Sequence, residues 1–202
     1  MKILFLCTGN TCRSPMAEHL LKHKLPGVEV KSAGLFAMEG LEANENAQTV
    51  LKERGIFIEH ASQGISDQLL LWADLVITMT MQHKHSLMIE YPHYQDKYYT
   101  LKEYTSPKIQ QILKDLTDTY GKLEKKRTDF IQKNEKKYSV NRLNELMQEE
   151  LQKEIEEIYQ LEAMVINVDI QDPFGGDVLI YRKTLEELEE QIVELVKIIE
   201  SP

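Results

Sequence analysis

Apolar residues recur along this 202-residue chain at two periods, one of strands and one of helices. Lys2-Ile3-Leu4-Phe5-Leu6 is apolar at consecutive positions, the pattern of a strand buried on both faces. Met16 to His23 continues as a helix that ends near Pro26-Gly27. Val28 to Gly34 alternates as a second strand and breaks at Gly34. Asn44 to Arg54 reads as a helix with Gly55 as its C-cap. Ser66 caps another helix running through Trp72. Asp74 to Met79 is a third strand, mostly apolar and therefore central. Gln82 to Glu90 is helical and is closed by Tyr91-Pro92; Tyr98 to Leu101 reads as a fourth strand. Lys183 to Glu200 is a terminal helix with Leu185, Leu188, Ile192, Leu195 and Ile199 on one stripe. Strands alternating with helices predict an α/β fold, a four-stranded parallel sheet flanked by helices.

The 67 residues between Tyr104 and Asp172 follow a different rule. Ile109, Leu113, Leu116, Tyr120, Leu123, Arg127 and Phe130 step by four and three, a coiled-coil spacing. Gly121 weakens that helix. Leu143, Met147, Leu151, Ile155, Ile158 and Val165 form a second stripe, and Lys133-Asn134-Glu135-Lys136-Lys137 reads as the turn between the two. Residues 106–137 carry nine Lys/Arg against five Asp/Glu; residues 138–168 carry two against seven. An antiparallel helical hairpin satisfies both the stripes and the charges. The expected organisation is one domain over 1–202 with residues 106–166 as an inserted arm, on the order of 35–40 Å long at 1.5 Å per residue.

Composition narrows the function. A hydrophobic fraction of 42% is ordinary for a chain with a buried core, and no apolar run reaches bilayer-spanning length. The first strand lacks the length and cleavage site of a signal peptide, so the expectation is cytoplasmic, with no membrane partner. A net charge of −9 argues against nucleic acid. His83 and His85 have no second Cys/His pair at ligand spacing, so no metal is expected and both read as surface residues. Trp72, Met79 and Met81 read as core. The two cysteines, Cys7 and Cys12, sit within one octapeptide, which points to catalytic or redox chemistry rather than a structural bridge.

That octapeptide is Cys7-Thr8-Gly9-Asn10-Thr11-Cys12-Arg13-Ser14. It follows the first strand and runs into Ser14-Pro15, which reads as a helix start with Ser14 as N-cap. Backbone N–H groups converge in such a loop, and the helix dipole adds positive potential, so it suits an anion. Arg13 forks two hydrogen bonds onto phosphate oxygens. Cys7 faces that potential, which favours its thiolate, a nucleophile for phosphorus. Gly9 is expected to permit a tight turn and close backbone approach, and Asn10 to take a left-handed conformation and brace the loop.

The motif resembles the signature loop of the low-molecular-weight protein tyrosine phosphatase family, from Cys7 through Arg13-Ser14-Pro15-Met16-Ala17-Glu18. Asp172-Pro173-Phe174-Gly175-Gly176 resembles the family's general-acid loop. The likeness covers about residues 1–104 and 166–200, leaving the middle outside it. It implies a phosphate cradle of Thr8, Gly9, Asn10, Thr11, Cys12, Arg13 and Ser14. It also implies Cys7 as nucleophile, Arg13 as clamp, Asp172 as general acid, Ser32 as the serine that braces Asn10, and no cofactor. In the two-step reaction that follows, Cys7 takes the phosphoryl group while Asp172 protonates the leaving group, and water then releases phosphate. Members of the family use a pair such as Cys7 and Cys12 as a reversible oxidative switch.

Thr11, together with Thr100-Leu101-Lys102-Glu103-Tyr104 and Asp-Pro-Phe-Gly-Gly, resembles the protein-arginine phosphatase branch. Tyrosine-directed members usually carry a bulkier aliphatic residue where Thr11 stands. Phosphoarginine on proteins is therefore the expected substrate, with phosphotyrosine as the alternative and Phe174 as a wall of the entrance. Arsenate reductase shares the fold and the Cys-x5-Arg loop, but it needs a resolving cysteine outside the loop, and this chain has none. A non-catalytic anion-binding scaffold leaves Asp172 unexplained. The arm is expected to contact a partner or protein substrate, or to self-associate.

Overall fold

A computed structural model describes residues 1–165 and 168–201. The chain divides into two compact units, Met1–Ser106 with Val168–Pro202, and Pro107–Asn167.

The first unit is built on β1 (Lys2–Cys7), β2 (Glu29–Gly34), β3 (Leu75–Thr78) and β4 (Tyr98–Thr100), in the order β2-β1-β3-β4 and all parallel. β1 carries no polar side chain from Ile3 to Leu6 because both its faces are covered. Ile3, Phe5 and Cys7 pack with α1 (Arg13–Lys24), α2 (Glu45–Lys52) and the C-terminal helix. Leu4 and Leu6 pack on the other side with α3 (Asp67–Trp72) and α4 (Met81–Glu90). The period-two alternation of a strand thus serves two cores at once. β4 is one residue shorter than expected. Leu101 instead opens α5 (Leu101–Thr105), whose capping box joins Thr100 and Glu103 through each other's backbone N–H.

The middle segment forms α6 (Pro107–Asn134) and α7 (Val140–Met164), an antiparallel pair. Antiparallel order follows from its bonds: Lys126 Nζ lies 2.9 Å from Glu154 Oε1, and Tyr120 OH donates to Glu162 Oε1 at 2.6 Å. The expected stripe holds for α7, where Leu151 and Ile158 are buried. In α6 it needs correction. Tyr120 and Arg127 are exposed, and the seam there runs one residue earlier through Thr119 and Lys126. Their polar ends keep Tyr120 and Arg127 at the solvent edge, where Glu162 and Glu124 meet them. The turn falls after Asn134, which is still helical.

The C-terminal helix, α8 (Val178–Glu200), begins five residues before the expected Lys183. Asp177 caps it, accepting from the Leu179 and Ile180 N–H groups at 3.0 and 3.1 Å. The cap lies directly behind the Gly175-Gly176 turn, so the helix starts as soon as that turn closes. Leu185, Leu188, Ile192 and Leu195 are buried as the stripe requires, and Ile199 packs at the edge.

Candidate active site

Cys7 ends β1 where the strand order reverses, with β2 on one side and β3 on the other. Parallel sheets open a crevice beyond the carboxyl ends of their strands at such a point. Residues 8–12 cross that crevice to the N-terminus of α1. Cys7 is 3% exposed, and its Sγ lies 3.0 Å from Ser14 Oγ.

Asn10 shapes the loop. It is the one non-glycine residue with positive φ among the described residues, at 55°. Its Nδ2 donates to Ser14 Oγ at 3.0 Å and to Ser32 Oγ at 2.8 Å. Its Oδ1 accepts from Gln63 N–H at 2.9 Å, and His60 Nε2 donates to its carbonyl at 2.7 Å. Ser32 Oγ donates onward to Glu18 Oε2. A left-handed turn in an L-residue is held here by four bonds from a fully buried side chain and its own carbonyl.

Two expectations about the loop are corrected. Ser14 does not cap α1. Cys12 stands at the N-cap position but its side chain makes no capping bond, and Ser14 lies inside the first turn with its hydroxyl tied to Ala33 O, Asn10 and Cys7. Gly9 is not where the backbone comes close: its φ is not positive, and a Cβ there meets only Thr11 Oγ1 at 3.7 Å. The close approach falls on Gly34 of β2, where a Cβ would stand 2.6 Å from Thr8 O and 2.8 Å from Asn10 N.

Arg13 is 4% exposed. Its Nη2 donates to Asp172 Oδ2 at 2.7 Å and its Nη1 to Ile170 O at 3.3 Å. Its Nε is buried and has no partner among the described residues. Asp172 Oδ1 accepts from Phe174 N–H at 3.2 Å, and Gly175 takes φ 79° to turn the loop. The segment before Asp172 is pinned from several sides: Met79 O accepts from Ile170 N–H, Asp169 Oδ1 from Met81 N–H, and Asp169 O from Lys102 Nζ.

Cys7, Thr8, Gly9, Thr11, Cys12, Arg13, Asp172 and Phe174 line one cavity of about 230 Å³. Asn10, Ser14 and Ser32 sit behind its wall. Cys12 Sγ lies 3.1 Å from the hydroxyl of buried Tyr181, and burial pushes the Cys12 thiol pKa up. Both cysteines are free.

His83, read as a surface residue, is 7% exposed. Its Nε2 lies 2.9 Å from Thr8 Oγ1 and its Nδ1 2.9 Å from Thr80 Oγ1. Burial, then the Arg13 charge, pushes its pKa down to about 4. The signal was its place: three residues after the Thr80 cap, at the end of the strand beside β1. His60, Gln63 and Gly34 were missed because long-range folding alone brings them to the loop. Glu18 was readable as the residue one turn after Ser14 on α1.

The sequence profile of the low molecular weight phosphotyrosine protein phosphatase family matches residues 2–157. A protein-arginine-phosphatase of Bacillus subtilis (strain 168) is 33% identical over 201 residues, covering 98% of this chain and 95% of its own length. Among solved structures, the YwlE arginine phosphatase from Geobacillus stearothermophilus superposes with a TM-score of 0.66 at 35% identity, covering 98% of this chain and 92% of that one. A cysteine-to-serine mutant of YwlE arginine phosphatase with a phosphorylated active-site serine superposes with a TM-score of 0.67 at 31% identity, covering 100% and 97%.

The contact at Gly34 generates a test of the loop geometry. Gly34→Ala drives a Cβ against the loop backbone at Thr8 O and Asn10 N, so the loop must shift; overpacking of this kind costs about 1–3 kcal/mol. The thermal unfolding midpoint Tm should fall, and phosphate affinity read by calorimetry should fall with it. Unchanged phosphate binding contradicts the close approach.

Proposed function

The chain belongs to the low molecular weight phosphotyrosine protein phosphatase family, and from that premise we propose that it hydrolyses phosphoarginine on proteins through a phosphocysteine on Cys7. The observation that carries the reading is the meeting of Cys7, Arg13 and Asp172 on one cavity. Arg13 presents a buried Nε–H without a partner among the described residues, a donor left for an anion. Loop N–H groups at the start of α1 supply the remaining positive potential.

In the free protein, Arg13 and the Phe174 N–H hold the two oxygens of Asp172. A phosphoryl group bound on Arg13 takes over the first of these contacts and leaves the carboxyl to carry a proton. The Cys7 thiolate then attacks phosphorus. The bond from phosphorus to the leaving nitrogen breaks, and Asp172 gives that nitrogen its proton. Ser14 Oγ, 3.0 Å from Sγ, turns its proton from Ala33 O to the sulfur while the sulfur is anionic. In the second step Asp172 takes a proton from water, the water oxygen attacks phosphorus, and the sulfur–phosphorus bond breaks. Phosphate departs and the thiolate returns. Arg13 stabilises the equatorial oxygens in both steps.

Two observations favour arginine over tyrosine as the carrier. The arginine phosphatase of B. subtilis aligns over nearly the whole chain. Thr11 lines the cavity with a short, hydroxyl-bearing side chain, which leaves less apolar surface for a flat ring. The cytoplasm is proposed as its place of work, and the Cys7–Cys12 pair as its redox brake. The arm of α6 and α7 is proposed as a contact for a protein partner, substrate or second copy.

Kinetics with phosphoarginine and phosphotyrosine peptides test the reading. The wild type should favour phosphoarginine in kcat/KM by at least about tenfold, roughly 1.4 kcal/mol of barrier difference. Thr11→Ile should move the preference toward phosphotyrosine, and Cys7→Ser should not turn over. A tyrosine preference in the wild type sinks the substrate assignment. Deleting residues 107–165 should spare small substrates while changing activity on a phosphorylated protein or the oligomeric state; if neither changes, the arm has no such contact.

A further inference from the structure

Depth in the cavity separates two kinds of contact. Cys7, Cys12 and Arg13 are 3–5% exposed and form its floor, where the phosphoryl group meets sulfur and guanidinium. Thr8 and Phe174 are exposed and form its mouth, where the leaving group lies. Phe174 is apolar. Thr8 brings a hydroxyl, and that hydroxyl is not free to turn: the buried His83 ring stands 2.9 Å behind it.

The His83 ring is itself fixed from the other side. Thr80 Oγ1 accepts the His83 backbone N–H at 3.1 Å, and the same hydroxyl lies 2.9 Å from Nδ1. With the Thr80 hydroxyl donating to Nδ1, the neutral ring carries its proton on Nε2 and donates it to Thr8 Oγ1. Burial and the Arg13 charge keep the ring neutral, against the opposing pull of Asp172 and Asp169. Thr8 Oγ1 then retains a lone pair for a donor at the mouth. The opposite ring tautomer also leaves it one. A phosphoarginine leaving group brings N–H donors to this position, whereas the ring of a phosphotyrosine brings none.

We propose that the Thr8 hydroxyl, oriented by His83, accepts a hydrogen bond from the guanidinium of the leaving group, which makes Thr8 a specificity-determining residue and His83 its positioning residue. The proposal rests on the phosphoarginine reading above. A hydrogen bond to a charged group is among the stronger ones, and a site built to pair a polar group discriminates against a partner that lacks it.

The test compares kcat/KM for phosphoarginine and phosphotyrosine peptides across the wild type, Thr8→Val, Thr8→Ser, His83→Leu and the Thr8→Val/His83→Leu double variant. Thr8→Val keeps the shape and removes the hydroxyl, and should lower the phosphoarginine-to-phosphotyrosine ratio by about tenfold. Thr8→Ser should hold the ratio near that of the wild type. His83→Leu should lower it, and the double variant should lose no more than Thr8→Val alone. Equal losses on both substrates, or an unchanged ratio in Thr8→Val, overturn the proposal while leaving the phosphoarginine reading in place. A wild type inactive on phosphoarginine overturns both. If His83→Leu fails to fold, the contrast between Thr8→Val and Thr8→Ser decides.

Discussion

The left-handed turn at Asn10 is the constraint on which the site depends. A loop that aims its N–H groups inward needs one residue at positive φ, and here that residue is not glycine. Asparagine accepts the conformation at a modest cost and offers an amide to hold it. The amide ties α1 through Ser14 and β2 through Ser32, and it accepts from the Gln63 backbone. His60 closes the same turn from the carbonyl side. These bonds shape the loop without any anion, which lowers the ordering cost of binding one. Gly34 completes the arrangement by letting β2 pass within contact of the loop backbone.

Around that frame the sheet supplies position and the far end of the chain supplies chemistry. Cys7 and Arg13 come from one strand–loop–helix unit. Asp172 comes from a loop 165 residues downstream of Cys7, pinned by α4, α5 and Met79. The Arg13–Asp172 pair joins a buried guanidinium to a carboxylate whose side chain is 53% exposed. Half-exposed pairs of this kind contribute little to stability. In the proposed reaction the same two groups separate when a phosphoryl group occupies Arg13, which gives the pair a role in turnover rather than in stability.

Much of this was legible in the sequence, for reasons that can be named. β1, β3 and α8 carry periodic apolar patterns strong enough to fix their type. The octapeptide carries its own chemistry, and Asp-Pro-Phe-Gly-Gly carries a turn. What escaped was decided by burial and by contacts distant in sequence. Ser14 looks like a cap because serine before proline usually is one; its hydroxyl is instead taken by Ala33, Asn10 and Cys7 in the fold. His83 looks like a surface residue because a polar helix surrounds it, yet strand order places that helix beside the loop. Gly9 and Gly34 exchange expected roles for the same reason: which glycine faces backbone depends on the neighbouring strand. In α6, spacing alone cannot tell Thr119 from Tyr120 or Lys126 from Arg127; the solvation of the polar ends decides.

In the proposed reaction a covalently held phosphoryl group passes through one sulfur, that of Cys7. In the proposed mechanism Asp172 serves both steps, so Asp172→Ala should slow the loading of Cys7 and also slow the release of phosphate, lengthening the life of the phosphocysteine. Rapid acid quench of this variant during turnover of phosphoarginine, followed by peptide mass spectrometry, reads it directly. One phosphoryl group on the peptide that holds Cys7, and none on that peptide in a Cys7→Ala control, is the predicted result. Turnover with no phosphorylated Cys7 at any time point, or with the label on another residue, contradicts the mechanism.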